Sequence, residues 1–171
     1  PILRANLEAI TRQDAELAQR IENAIPAPLD WIESKAGPLS ASLNHGGRQI
    51  TLASRYDPLA EADKLVSEID YDQNACVVVL GMALGYHAQR VAEAIGQGVT
   101  IVCEPDTAVL RAVLERIDHS SWIGRNNVIV GDAQFDRASL TRRLEKYSGL
   151  VTQGTKIIIH PPSRVRCGHA L

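Results

Sequence analysis

The sequence predicts a doubly wound α/β domain with a mainly parallel sheet, preceded by a smaller cap of helices and a β-hairpin. Three observations carry this. From residue 75 onward, the short runs CVVVL, VTIVC, NVIV and KIIIH alternate with amphipathic segments. These runs are almost continuously apolar and rich in β-branched residues, as strands buried on both faces must be. Before residue 70 the pattern differs, with helical periodicity first and then strict alternation about Gly46-Gly47. The expected organisation is therefore a cap over residues 1–70 and an α/β domain over 71–171.

In chain order, Leu3, Leu7, Ile10, Leu17, Ile21 and Ala24 fall near helical spacing, so one or two amphipathic helices open the chain and Pro26 and Pro28 end them. Residues 39–53 alternate on both sides of Gly46-Gly47, the signature of a hairpin with a tight turn. Asp57 is placed as the N-cap of a helix with Pro58 as its first residue, and Leu59, Ala62, Leu65, Val66 and Ile69 form its apolar face. Strands follow at 76–80, 99–103, 127–130 and 156–160. Helices are expected at about 86–96, 105–117 and 136–147, the second with Pro105 in its first turn.

The bulk properties exclude several classes of function. A net charge of −2 gives no whole-chain attraction to nucleic acid or to an anionic membrane. No apolar run approaches the roughly 20 residues that span a bilayer. The start of the chain is charged and amphipathic, unlike a signal peptide. Cys76, Cys103 and Cys167 are odd in number and form no C-x-x-C, which points to neither a disulfide framework nor a zinc knuckle. A cytoplasmic, bacterial-type setting is the expectation. Pro1 and the closing RVRCGHAL do not resemble natural termini, so a longer parent polypeptide is expected too.

In a sheet of this kind ligands bind beyond the carboxyl ends of the strands. The first strand leads into Gly81-Met82-Ala83-Leu84-Gly85, where small residues let a ligand approach the backbone next to a helix N-terminus. The second ends at Glu104, an acceptor for ribose hydroxyls, and the third at Gly131-Asp132-Ala133, an acceptor for an adenine amino group. The fourth ends at His160-Pro161-Pro162-Ser163. The candidate nucleotide- or cofactor-binding residues are thus Gly81, Gly85, Tyr86, Glu104 and Asp132. The same residues also admit a structural reading: the glycines as a tight turn and close packing site, Glu104 as an N-cap before Pro105, and Asp132 as the cap of the next segment.

Arg55, in SRYDP, and His160 are candidate contacts for an anion or a partner. The alternative for Arg55 is an ion pair with Glu61 or Asp57, with Tyr56 packing the cap against the sheet. His45, His87, His119, His160 and His169 lack metal-ligand spacing, and only His87 sits at the presumed ligand edge besides His160. Cys103, among apolar neighbours, reads as a strand residue rather than a nucleophile. Arg137, Arg142, Arg143 and Lys146 read as a solvated helix face. No P-loop, G-x-S-x-G or Ser/His/Asp arrangement is present, so no catalytic residue and no metal ligand is assigned.

The order of glycine loop, ribose acid, GDA and a fourth-strand PP resembles class I S-adenosylmethionine-dependent methyltransferases, with their Rossmann-like fold. Three departures stand out: Ala83 replaces the middle glycine, Val79 occupies the position of the acid before the loop, and His160 stands where the amino-methylating branch has Asp or Asn before its two prolines. Longer stretches resemble the N-terminal region of the motility accessory factor (Maf) glycosyltransferases. They are NLEAITRQDAELAQRIE, LASRYDPLAEADKLV, VVVLGMALGYHAQRV, VTIVCEPDTAVLRAVLERIDHSSWI and IIIHPPSRV. That resemblance implies a parent enzyme transferring a nonulosonic acid from its CMP-activated form to flagellin, with the catalytic domain outside this chain. The present chain would be an accessory domain, whose own ligand, if any, is a nucleotide or S-adenosylmethionine. A methyltransferase, and a purely structural or partner-binding module, are the alternatives.

Overall fold

The computed structural model describes residues 1–134 and 137–168. Helices α1 (Ile2–Thr11) and α2 (Ala15–Asn23) are separated at Asp14, whose carboxylate accepts the Leu17 N–H and so restarts the helix. Helix α2 already stops at Asn23, with Ala24 extended, before either proline is reached. Strand β1 (Asp30–Glu33) was not expected: its four residues are too few for an alternation to stand out. It pairs antiparallel with β2 (Leu39–His45), which pairs with β3 (Arg48–Thr51) across the Gly46-Gly47 turn. Both glycines have positive φ, 58° and 78°, as a tight two-residue hairpin of this hand requires. Helix α3 (Pro58–Val66) begins as expected, with Asp57 accepting the N–H groups of Leu59 and Ala60.

The α/β part runs β4 (Cys76–Leu80), α4 (Tyr86–Ala94), β5 (Val99–Cys103), α5 (Thr107–Arg116), α6 (Ser120–Ile123), β6 (Val128–Gly131), α7 (Arg137–Leu144), α8 (Ser148–Thr152), β7 (Thr155–Ile159) and α9 (Pro161–Cys167). Two expectations are corrected. The second helix starts at Thr107 rather than at Pro105, because Asp106 caps it by accepting from Ala108 and Val109. The helix expected to end at 147 instead passes through a 3-10 turn into α8. Its apolar stripe continues beyond Tyr147 to Leu150 and Val151, which pack on the same core as Leu140 and Leu144.

All four strands of the second sheet are parallel, in the order β6-β5-β4-β7. This is a Rossmann-like, doubly wound arrangement, with the order reversing between β4 and β7. One face carries Val77, Val79, Val102, Val128, Val130 and Ile158 against α4 and α5. The opposite face carries Cys76, Val78, Val99, Ile101 and Ile129 against α7 and α8.

The two opening helices share the main core, contributing Ala9, Ile10, Leu17, Ala18 and Ile21. Asn6 ties them down: its fully buried amide donates to the carbonyls of Leu114 and Ile117 and accepts the His119 N–H. The antiparallel sheet joins the domain through Ala41, Leu52 and Ala53, which pack on Leu84, Val109 and Val113. A hydrogen bond from the Tyr86 hydroxyl to the Leu39 carbonyl fixes the same junction. No described helix is long and apolar enough to cross a membrane.

Candidate functional site

The glycine loop after β4 lies at the carboxyl edge of the sheet, but the chain itself lies against it. Gly81 has φ +87°, and a Cβ there would stand 2.2 Å from Cβ of Ser163, the third residue of α9. Gly85 has φ +84°, and its Cβ would stand 2.7 Å from Nε2 of His119. Both glycines are therefore required by packing within the protein, whatever else approaches. Ala83, at φ 45°, adopts a left-handed conformation that the hydrogen bond from its N–H to Glu104 Oε2 holds in place. Gly81→Ala is expected to cost on the order of 1–3 kcal/mol, because it combines a strained backbone with displacement of α9. Urea denaturation reads that loss, and limited proteolysis at α9 checks that the helix has moved.

The two acids of the edge are fully engaged. Glu104 is completely buried. Its Oε2 accepts from Ala83, and its Oε1 accepts from the Asp106 N–H and from the Arg166 guanidinium at 2.8 Å. Arg166 also reaches Asp106 Oδ2 at 3.1 Å, so one arginine of α9 bridges both carboxylates. Asp132 is held by a two-pronged contact from Arg20 of α2, at 2.9 and 3.0 Å. It also accepts from the Thr107 hydroxyl and from the Gln134 N–H. The local capping role considered for Asp132 thus coexists with an ion pair to the opening helices. For Glu104, the N-cap alternative is replaced by Asp106.

Three buried histidines surround the loop. His87 hydrogen-bonds the Gly81 carbonyl, and its ring stacks on that of His160 at 4.6 Å with 7° between planes. Nδ1 of His160 is 2.8 Å from the Ser163 hydroxyl, which pins α9. His119 sits between the Leu84 carbonyl and the Trp122 indole N–H; Nδ1 accepts from Trp122, so the proton lies on Nε2. Burial lowers the pKa of His87 and His119 to about 4 each. Burial, then the neighbouring His87 and Arg166, lowers that of His160 to about 2. All three are neutral at pH 7, and His160 offers an anion no positive charge.

Beside this closed edge, at the reversal of strand order, a cleft of about 520 Å³ runs between α3 and the segments following β4 and β7. Leu52, Leu65, Leu84 and Pro162 give it an apolar lining, joined by Tyr86, the His87–His160 pair, and Glu61 and Lys64 of α3. Gly85, Tyr86 and His160 are thus brought to one cleft, whereas Gly81, Glu104 and Asp132 belong to the closed edge. Arg55 belongs to neither. Its side chain is exposed and forms no ion pair among the described residues, while Glu61 accepts the Ser54 N–H instead. Tyr56 is exposed beneath Lys35 rather than packed on the sheet.

Burial raises the Cys103 thiol to about 11, and Glu104 and Asp132 add to the shift, so it is unreactive at neutral pH. Arg143 is not part of a solvated face: its guanidinium contacts Asp14 and the Val130 carbonyl. No group of three or more His, Cys, Asp or Glu side chains suited to a metal occurs among the described residues. His169 and the Arg137 side chain lie outside the described residues.

Arg20 and Arg166, which decide the character of the edge, escape a reading of strand ends because both lie on helices remote in sequence from their partners. No local signal in the sequence marks either arginine as a partner of a buried acid.

Fold and site together define a Rossmann-like α/β domain whose carboxyl edge is filled by its own side chains around Gly81, Glu104 and Asp132 and opens to a cleft beside α3. Among solved structures, the chain is similar to the Maf glycosyltransferase from Magnetospirillum magneticum AMB-1, with a TM-score of 0.65 and 13% identity. The match covers 98% of this chain and 34% of that one, so the chain spans about a third of the length of that protein. A putative transferase from Pyrococcus horikoshii and the P. horikoshii TYW2 in complex with MeSAdo also match, at 12% and 11% identity. They cover 77% and 75% of this chain and 63% and 62% of theirs, but a TM-score of 0.34 for each carries no argument. No protein-family model and no curated protein matches the sequence.

Proposed function

We propose that this chain is an accessory, non-catalytic domain of a Maf-like glycosyltransferase that transfers a nonulosonic sugar to flagellin, with the transfer chemistry outside these residues. The observation that carries the accessory role is the pairing of both edge acids with the chain's own arginines, Glu104 with Arg166 and Asp132 with Arg20. A nucleoside seated as in a methyltransferase needs those carboxylates for its ribose and its base. Here each would first have to give up a charge-assisted hydrogen bond, in a site where Gly81 is already covered by Ser163. The Maf-like parent is supported by the five sequence stretches and by a common fold along 98% of the chain.

Calorimetric titration with S-adenosylmethionine, S-adenosylhomocysteine and CMP is expected to give no heat of binding. Micromolar binding of S-adenosylhomocysteine that Glu104→Ala removes would overturn the accessory reading and favour a methyltransferase. Incubation of the full-length protein with a CMP-activated nonulosonic acid and flagellin tests the parent: sugar-modified flagellin is the expected product, and none would reject it.

A further inference from the structure

The two edges of the parallel sheet are treated differently. All four residues of β6 are buried. At the other edge, β7 is buried only at Ile158, while Ile157 is 58% and Ile159 38% exposed. Val165, on α9 just beyond, is 69% exposed. Ile157 and Ile159 pair in register with Val78 and Leu80, which are only half-buried, so all four lie on the face that α7 and α8 cover. That helical cover reaches Cys76 and Val78 and leaves the β7 strip bare. The backbone points the same way. The His160 N–H donates to Leu80, and successive residues of a strand turn to opposite edges, so the N–H groups of Ile157 and Ile159 face away from β4. An apolar edge strand whose N–H groups are unpaired among the described residues is a template for another strand.

We infer that the β7 edge seats a further strand of the parent polypeptide, parallel to β7, whose crossover helix covers Ile157 and Ile159. This rests on the reading of the chain as part of a larger protein. A parallel sense continues the pairing of the four strands already present. The order β6-β5-β4-β7 is one half of a doubly wound sheet extended by a single strand, and the position beyond β7 is the next one. A right-handed crossover leaving β7 in that direction puts its helix on the face of α7 and α8, the face where the isoleucines are bare. In the Magnetospirillum protein the matching region is 34% of the chain, which leaves polypeptide enough for such an addition. The occupant is an extended segment with apolar residues at alternate positions, preceded by an amphipathic helix.

Residue-resolved hydrogen exchange on the 171-residue chain and on the full-length protein tests this. The amides of Ile157 and Ile159 are expected to exchange at least roughly tenfold more slowly in the full-length protein. Ile157→Lys provides a second measurement. It is expected to leave the melting temperature of the 171-residue chain unchanged and to lower that of the full-length protein by several degrees. Equal exchange in both forms, or an unshifted full-length variant, overturns the inference. So does a dimer of the short chain that protects the same amides and persists in the full-length protein, since the edge then belongs to a second copy. If the full-length protein transfers sugar to flagellin yet leaves these amides free, the edge assignment alone has failed. Protected amides without sugar transfer reject the parent's activity alone.

Discussion

Stability is expected to fall steeply as the pH drops from about 6.5 towards 4. The cause is the trio His87, His119 and His160, whose folded pKa values burial lowers to about 4, about 4 and about 2. In the unfolded chain each titrates near 6.5, so the unfolded state takes up protons first. The stabilisation is therefore complete above 6.5 and is lost as the pH falls towards the folded values. A histidine lowered to about 4 forfeits on the order of 3 kcal/mol by pH 4. His87 and His160 are stacked and titrate as a pair, so their shares are not separable, but the pair adds at least as much again.

The total rivals the 5–15 kcal/mol that holds a typical domain together. Urea midpoints measured at pH 7, 6, 5 and 4.5 should fall progressively, and a flat midpoint across that range would sink the assignment. His119→Gln should reduce the slope by about one proton while lowering stability at pH 7, because the Trp122 indole and the Leu84 carbonyl lose a shared partner. The glycine loop should loosen first, since the carbonyls of Gly81 and Leu84 are held by two of these rings.

How much of this was legible beforehand follows from the range of each signal. The parallel strands could be read because β-branched runs are local, and helix α3 because Asp57-Pro58 is a local start signal. The hairpin could be read for the same reason, through two adjacent glycines with positive φ. Strand β1 was missed because DWIE depends on its partner β2 to be a strand at all. At the candidate site, the order of loop and acids along the strand ends was legible. What the acids do was not: Glu104 meets Arg166 from 62 residues away, and Asp132 meets Arg20 from 112. Ala83 and Val79 gave advance notice of a departure, since the methyltransferase pattern has a glycine and an acid at those two positions.

Arg166→Ala is expected to destabilise the protein by about 3–5 kcal/mol, the usual consequence of stranding one member of a buried ion pair. Glu104 is completely buried and the Arg166 side chain only 2% exposed, so water screens neither charge. The N–H groups of Ala83 and Asp106 would remain on the carboxylate, but both are neutral donors. The pair is nevertheless an imperfect source of stability. Nε of Arg166 is buried without a hydrogen-bond partner among the described residues, a cost that a nonpolar side chain of similar length would not carry. The double variant Glu104→Gln, Arg166→Met should therefore recover most of the loss and fold with native-like stability. Guanidinium denaturation of wild type, the single variant and the double variant separates the possibilities. A loss below about 1 kcal/mol for Arg166→Ala would mean that Glu104 is solvated without its arginine, and with it the case for a closed edge would go. A large loss with recovery makes Arg166 the residue that neutralises the buried Glu104, at a cost a nonpolar pair would not carry. Asp132 is the weaker counterpart, because the Arg20 side chain is 27% exposed and water can take its place.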